Sequence, residues 1–241
     1  MRKILILLLI IFPITVYGAS FTLATYPINV NGQKIAVQPY NSNGVTYLPL
    51  RAISEAIGVP ITWDNINRKV DITTLDTKKL AESCVMVYAT DGKVRSQGSG
   101  VYTDYGEILT ANHVVEGYPT ITTSQGSNLT VQESNKTLDA TVLDSAESIK
   151  PVKIGDSDEV QLNEKVVFIS SPKATINTTT WGTVIRLDNM NDDSIAVKVI
   201  LNTGSSGGAC FNLKGELIGI ADAGENGIFF ITPINDIRKA L

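Results

Sequence analysis

The feature that most constrains the fold is a series of short runs rich in β-branched residues, which extends from near residue 80 to about residue 220. Glycine, asparagine, aspartate and serine separate these runs. β-Branched side chains favour strands and the separating residues favour turns, so the pattern predicts many short antiparallel strands in a sandwich or barrel. Within this part of the chain, long helical periodicity is absent until residues 235–241. The clearest runs lie at 85–88, 100–102, 108–110, 120–123, 166–170, 183–185, 195–200 and 217–220.

Residues 26–74 have a different pattern, which predicts a small α+β module. Asn31-Gly32 lies between two apolar runs and predicts a hairpin, because a tight primed turn needs residues that tolerate positive φ. A helix is predicted over 51–57, with Gly58 as its stop. Further strands are predicted at 45–48, 61–63 and 70–72, and a polar linker at 73–79.

The first residues have the pattern of a secretory signal peptide. Met1-Arg2-Lys3 is basic, residues 4–11 are wholly apolar, and small residues follow at 18–20. We predict a signal peptide over 1–19, so that the mature protein is secreted or lies at a bacterial cell surface. The alternative is an uncleaved membrane anchor, although the apolar run is shorter than the ~20 residues that a membrane span needs.

Charge and cysteine content exclude several classes of partner and cofactor. The formal net charge of -4 is too small to indicate nucleic acid or an anionic membrane as partner. Cys84 and Cys210 lie in apolar runs and are predicted to be unpaired core residues, although an oxidising compartment would permit a bridge. Neither has a metal-ligand spacing, and one histidine cannot build a typical zinc site, so we expect no metal and no organic cofactor.

His113 and Ser206 are the residues that point to chemistry. His113 is the only histidine, and it follows the predicted strand at 108–110. Ser206 lies in Gly204-Ser205-Ser206-Gly207-Gly208, where the glycines permit a tight loop whose Gly204 and Ser206 amides can face an oxyanion. A serine hydroxyl needs a base such as neutral imidazole to take its proton. Each feature alone is common, but the order His before Ser, with no helix after the serine, favours a chymotrypsin-like nucleophile.

Residues 80–241 resemble the protease domain of the HtrA/Deg group of trypsin-like serine proteases. This resemblance implies a mainly β fold of two six-stranded antiparallel barrels. It also implies His113 as general base, Ser206 as nucleophile, and the amides of Gly204 and Ser206 as the oxyanion hole. A PDZ domain often follows in this group, and we expect none in this chain. The matching segments are 98–101, 108–115, 154–157, 166–172, 182–184, 204–208, 211–220 and 233–235.

Residues 26–74 resemble the copper amine oxidase N-terminal-like, or stalk, domain of bacterial surface proteins. The resemblance implies an adhesive or spacing module with a cell-surface partner. It does not imply copper here, because the segment has no histidine and no cysteine. The matching residues are Val30-Asn31-Gly32, the stretch 46–53, Glu55-Ala56-Ile57-Gly58 and Trp63-Asp64.

The sequence leaves three interpretations of the residue that would orient the His113 imidazole. The family places an aspartate at the head of a strand reading roughly Asp-Leu-Ala-Leu-Leu, where it holds the imidazole tautomer. No such run is evident, and the segment between Ala140 and Gly155 is shorter than in the family. Three interpretations remain: Asp144 is the orienting carboxylate, Ser148 takes its place, or the strand and its aspartate are missing and the first barrel is compressed.

The predicted function is that of an exported serine endopeptidase acting on polypeptides, including unfolded proteins. By the resemblance, Ile200, Leu201 and Asn202 line the pocket for the side chain before the scissile bond. They include no acidic residue, so we predict a preference for small to medium apolar side chains. The alternatives are a catalytically impaired or inactive homologue that acts as a cell-surface binding protein and, more weakly, an esterase with the same nucleophile.

Overall fold

The computed structural model describes residues 20–30, 33–57, 59, 61–72, 75–104, 106–187 and 194–241. The chain divides into two compact units, one up to Ile57 and the other from Gly58 onward. Within the described ranges, no helix is long and apolar enough to cross a bilayer. The predicted signal peptide, residues 1–19, lies outside these ranges.

The first unit contains a three-stranded sheet, a two-stranded hairpin and one helix. The predicted hairpin and helix are both present, although the turn residues 31–32 lie outside the described ranges. A second hairpin turns through Asn43 and Gly44, which both have positive φ, as a tight primed turn requires. The elements are β1 (Thr22–Leu23), β2 (Asn29–Val30), β3 (Gln33–Lys34), β4 (Tyr40–Ser42), β5 (Val45–Tyr47) and α1 (Leu50–Ile57), with sheet order β1-β4-β5.

The second unit begins with β6 (Ile61–Asp64) and β7 (Lys69–Ile72), which lie at the positions of two predicted strands and pair antiparallel. Part of the predicted linker is a short helix, α2 (Thr77–Ala81). Its N-terminus is capped by the Asp76 side chain, which accepts a hydrogen bond from the Lys79 N–H at 3.1 Å. Leucines at 75 and 80 pack against the core that both barrels share, so tertiary burial, together with the cap, orders this polar stretch.

The first barrel is closed and has six antiparallel strands, in the order β10-β13-β12-β11-β8-β9. The third interpretation of the sequence, in which a strand is missing and the first barrel is compressed, is therefore wrong. Residues 140–145 supply the sixth strand, which pairs with its neighbours on both sides. The strands are β8 (Cys84–Thr90), β9 (Arg95–Asp104), β10 (Glu107–Ala111), β11 (Thr120–Thr123), β12 (Asn128–Asn135) and β13 (Ala140–Ser145), and the short helix α3 (Asn112–Val115) follows β10.

The second barrel is also antiparallel and closes through the pairing of β19 with β20. Strand β14 (Lys153–Ile154) lies outside this closure and pairs parallel with β19. Two short 3-10 helices occupy Ser157–Glu159 and Pro172–Ala174. The remaining elements are β15 (Lys165–Ser170), β16 (Thr178–Leu187), β17 (Ile195–Lys198), β18 (Ala209–Phe211), β19 (Glu216–Glu225), β20 (Ile228–Pro233) and α4 (Ile234–Ala240).

The two barrels share one buried apolar cluster, which positions their facing surfaces. Val101 and Leu109 of the first barrel belong to it with Ile169 and Phe211 of the second, and each is at most 1% exposed. Both cysteines are buried free thiols, as predicted, and burial raises the thiol pKa of each well above its usual range. Because the shared core fixes the barrels together, the loops that lead from it are held in defined positions.

Candidate active site

His113 lies in α3, directly after β10 of the first barrel. Its neighbours Val114 and Val115 are each 2% exposed and anchor the helix in the core, whereas about half of the His113 side chain is exposed. Asn112 supports the turn: its N–H donates to the Asp139 carbonyl at 3.0 Å, and its amide oxygen accepts from the Thr141 hydroxyl at 2.9 Å. The imidazole is therefore held at the barrel rim, where it is accessible to solvent.

Asp139 is the partner of the imidazole. It lies in the turn between β12 and β13, and its Oδ2 is 2.5 Å from His113 Nδ1. Its other oxygen accepts the backbone N–H of His113 at 2.8 Å, so both carboxylate oxygens bind the same residue. The backbone of Asp139 has a φ of 48°, a left-handed conformation that aspartate tolerates better than most residues. This bidentate contact fixes the ring orientation and leaves Nε2 for other partners.

The two groups shift each other's protonation in opposite directions. The hydrogen bond that the imidazole makes to the Asp139 carboxylate raises the pKa of His113, whereas burial lowers it. The negative charges of Asp139 and Asp222 raise the pKa of His113 further. Burial by itself would raise the pKa of Asp139, but hydrogen bonds and the charge of His113 bring it below its usual range. The pair therefore stabilises an imidazolium beside a carboxylate, which is the charge state that a general base reaches during catalysis.

Ser206 lies on a tight loop before β18, and this loop packs against the first barrel. The Ser99 N–H donates to the Ser206 carbonyl at 2.8 Å. Gly207 has a φ of 77°, and a Cβ there would lie 2.2 Å from the Ser99 carbonyl oxygen and 2.8 Å from the Ala111 nitrogen. Only glycine fits so close an approach. The serine loop of the second barrel is thus pressed against the end of β10, immediately before the helix that carries His113.

Two backbone amides in the loop are left without an internal acceptor. The N–H groups of Ser205, Gly207 and Gly208 donate to Asn202, Ala221 and Ser205, respectively, at 2.7–3.0 Å. Across the described part of the chain, the amides of Gly204 and Ser206 donate to no protein group. Free amides on a serine and on the residue two positions before it are donors that could stabilise an oxyanion developing next to that serine.

The Ser206 hydroxyl donates to the backbone carbonyl of Asp222 at 3.1 Å, rather than to the imidazole of His113. A carboxylate oxygen of Asp222 in turn lies within 4.8 Å of a His113 ring nitrogen and of an Asp139 carboxylate oxygen. Asp222 therefore adjoins both the hydroxyl and the His113–Asp139 pair. If Ser206 acts as a nucleophile, its hydroxyl has to exchange this carbonyl for the imidazole as its acceptor.

The comparison with protein families decides the class. The model of the trypsin-like peptidase domain matches residues 98–220, which include His113, Asp139 and Ser206. This chain belongs to the trypsin-like peptidase family. The copper amine oxidase N-terminal domain matches residues 29–105. Cys84 is the only histidine or cysteine in that stretch, and it is buried, so the donor set does not fit a copper site.

Relatives of this trypsin-like peptidase are HtrA-type proteases. It is 33% identical over 167 residues to the "Probable serine protease do-like" of Buchnera aphidicola subsp. Acyrthosiphon pisum, with 61% of this chain and 35% of the relative covered. Over 167 residues it is 30% identical to the "Periplasmic serine endoprotease DegP" of Escherichia coli, with the same shares covered. The chain thus spans about a third of the length of these relatives.

A solved structure supports the same grouping. The serine endoprotease from Yersinia pestis superposes with a TM-score of 0.61 at 27% identity. The superposition covers 68% of this chain and 62% of that chain. The two-barrel fold that the sequence predicted is therefore confirmed by the strand topology and by this neighbour.

The structure does not place Asp144 of this trypsin-like peptidase against the imidazole, contrary to the sequence prediction. Asp144 is an exposed residue of β13, and its backbone pairs with Glu107 on one side and Thr130 on the other. Ser148 is also exposed and follows the end of β13. The contact belongs to Asp139, which stands at the head of the strand. The sequence pattern that could have identified this aspartate is Asp139-Ala140-Thr141-Val142-Leu143, a degenerate form of the family's strand that begins with aspartate.

The predicted pocket residues precede the serine loop in a segment without regular secondary structure. Ile200 is 77% exposed, and Leu201 is partly buried against the core of the second barrel. Asn202 is exposed, and its carbonyl accepts the Ser205 N–H at 3.0 Å. Their role in substrate selection remains a prediction.

One group of side chains of metal-ligand type occurs within the described ranges: His113, Asp139 and Asp222. Nδ1 of the imidazole is engaged by Asp139 at 2.5 Å, so the group is held together by its own hydrogen bonds. Its residue types also suit proton transfer, which needs no metal.

Proposed function

We propose that the protein is an exported serine endopeptidase that cleaves peptide bonds through an acyl-enzyme at Ser206. The observation that carries the proposal is the Asp139–His113 pair, at the rim of one barrel, beside a serine loop of the other barrel that has two free amides. This arrangement supplies an oriented base, a nucleophile and an electrostatic site for a tetrahedral intermediate.

The chemistry follows from these positions. Because Asp139 holds Nδ1–H, the neutral imidazole presents the Nε2 lone pair. Nε2 takes the hydroxyl proton as Ser206 Oγ forms a bond to the substrate carbonyl carbon, and the carbonyl oxygen becomes an oxyanion held by the Gly204 and Ser206 amides. The imidazolium then protonates the leaving amine as the C–N bond breaks. Water then bonds to the acyl carbon as the same imidazole takes its proton, and the imidazolium returns that proton to Oγ as the bond between Oγ and the acyl carbon breaks and the acid leaves.

The substrate preference we infer is for small to medium apolar side chains before the scissile bond. Ile200, Leu201 and Asn202 offer no anionic group to pair with a substrate lysine or arginine. A charged side chain in such a pocket would lose its hydration without gaining an ion pair. Extended segments of unfolded polypeptides would expose such sites.

Export and surface contacts are further parts of the proposal. The basic and then apolar start of the chain supports export. The relative from Escherichia coli carries the word periplasmic in its name. The copper amine oxidase N-terminal domain would provide a spacer or a contact with a cell-surface partner.

Cleavage of an unfolded polypeptide tests this function. The purified protein is expected to cut reduced, carboxymethylated substrate proteins after alanine, valine or similar residues, as mapped by mass spectrometry of the products. Matched peptides with lysine or aspartate at that position should be cut at least about tenfold more slowly. A charged side chain that loses its hydration in the pocket without gaining an ion pair costs several kcal/mol.

The control is Ser206→Ala, which should leave the polypeptide intact. Hydrolysis of simple esters without any peptide cleavage would instead make the protein an esterase. Folded protein that neither cleaves polypeptides nor hydrolyses esters between pH 5 and pH 9 would overturn the proposal and leave the binding protein as the better account.

A further inference from the structure

Asp222 is an acidic residue that adjoins the site but has no part in the mechanism above. Its backbone carbonyl accepts the Ser206 hydroxyl at 3.1 Å. Its carboxylate lies within 4.8 Å of both the His113 ring and the Asp139 carboxylate. An anionic side chain so near a general base alters the proton affinity of that base.

The fold holds Asp222 in this place through a bulge in β19. The pairing of β19 with β20 shifts between Ala221 and Gly224, so Asp222 falls in the irregular part of the ladder. Ala221, directly before it, is tied to the serine loop by hydrogen bonds to Gly207 and Gly208 at 2.7 and 2.8 Å. Bulges commonly redirect a side chain beside an active site.

We propose that Asp222 is a further positioning residue, whose carboxylate acts with that of Asp139 on His113 and sets the pH range in which the imidazole can serve as a base. This inference rests on the proposed function. The imidazole faces two negative charges, Asp139 from the β12–β13 turn and Asp222 from β19. Next to Asp139 lies Glu116, which is paired with Lys136. The ion pair offsets the charge of Glu116, so Asp222 is the second anion that acts on the ring.

The direction of the effect follows from counting protons. The two carboxyls hydrogen-bond to each other only if one of them carries a proton, and the imidazolium form is favoured if neither does. When both carboxyls are ionised, the second carboxylate makes the imidazolium keep its extra proton to a higher pH. Attack needs the neutral imidazole, with its one proton on Nδ1, since Nε2 must be free to accept. Activity is therefore expected to rise with pH, and removal of the Asp222 charge should move that rise to lower pH.

Asp222→Asn is the variant that tests this, because asparagine keeps the size and a hydrogen-bonding group but not the charge. His113 is the only histidine, so its ring signals can be followed by NMR without ambiguity from pH 4 to pH 9. We expect the ring of the variant to titrate at a lower pH than in wild type. On the acid side of the profile, kcat/KM of the variant should exceed that of wild type by about three- to tenfold, because one pH unit changes the neutral fraction about tenfold.

Glu225→Gln is the matched control, since it removes one negative charge from the exposed end of the same strand and should change neither profile. Asp222→Ser serves as a second neutral variant if the asparagine variant does not fold. An unchanged His113 titration in a folded neutral variant would overturn the role of Asp222. If no protein in the series cleaves polypeptide, the proposed protease function fails, whereas the NMR titration still decides whether Asp222 acts on the imidazole.

Discussion

Asp139→Asn is expected to lower kcat about 10⁴-fold with little change in KM, the size of loss that removal of tautomer support causes in a serine protease triad. The asparagine oxygen can still accept the His113 backbone N–H, as Asp139 Oδ1 does now at 2.8 Å. Its NH₂ group, however, would face Nδ1 and require that atom to be an acceptor. The proton of neutral imidazole would then reside on Nε2, which could no longer take the proton of the serine. Steady-state kinetics on one peptide substrate measures the effect.

Asp144→Asn is the matched control for that substitution, because it makes the same chemical change five residues further along the chain, at an exposed position of β13. Its kcat should stay within about twofold of wild type, as is usual for surface substitutions remote from a site. Equal losses in the two variants would show that Asp139 has no special role. A loss confined to Asp144→Asn would restore the first interpretation of the sequence.

The second large effect concerns Ser206 and His113, which should behave as one unit. Ser206→Ala removes the nucleophile and His113→Ala removes the only imidazole in the chain. Each is expected to lower kcat by about 10⁶-fold, and the double variant should be no worse than either single variant, because neither group is useful without the other. Single-turnover assays at high enzyme concentration can measure rate constants that are about 10⁶-fold below that of wild type, as this comparison requires.

Additive losses would contradict that prediction. If the double variant were slower than wild type by the product of the two separate effects, the two side chains would be acting independently. Residual hydrolysis common to all three variants is expected, because the Gly204 and Ser206 amides remain in place.

Much of the fold could be predicted from the sequence, which also indicates two of the three residues of the proposed catalytic group, His113 and Ser206. The strand-rich pattern follows from residue types whose preferences act locally, and the glycines around Ser206 indicate a close backbone approach, which Gly207 makes against Ser99 and Ala111. The sole histidine and this loop limit the candidates for the base and the nucleophile to very few residues.

Asp139 could not be singled out as easily, because its strand departs from the apolar pattern of the family. Thr141 stands where a small apolar residue is common, and it is fully buried because its hydroxyl donates to Asn112. A polar residue with a buried partner looks like a loop residue in the sequence alone. The local pattern therefore favours Asp144, five residues further along the chain, over Asp139.

Two other features depend on tertiary contacts that no local pattern encodes. The polar stretch after residue 74 becomes α2 because Leu75 and Leu80 pack on the shared core. Asp222 reaches the His113–Asp139 pair because a bulge interrupts its strand. In both cases the outcome depends on packing between segments that are distant in the sequence, which overrides local preference.

The most direct test of the account is reaction of the purified protein with a fluorophosphonate probe at pH 8, followed by mass spectrometry of the digested adduct. A single adduct on Ser206 is predicted, because among the described residues that hydroxyl combines a nearby oriented imidazole with free backbone amides. It should be absent from Ser206→Ala and slowed by orders of magnitude in Asp139→Asn. A folded protein that remains unmodified, or that carries the adduct on another residue, would contradict the central claim.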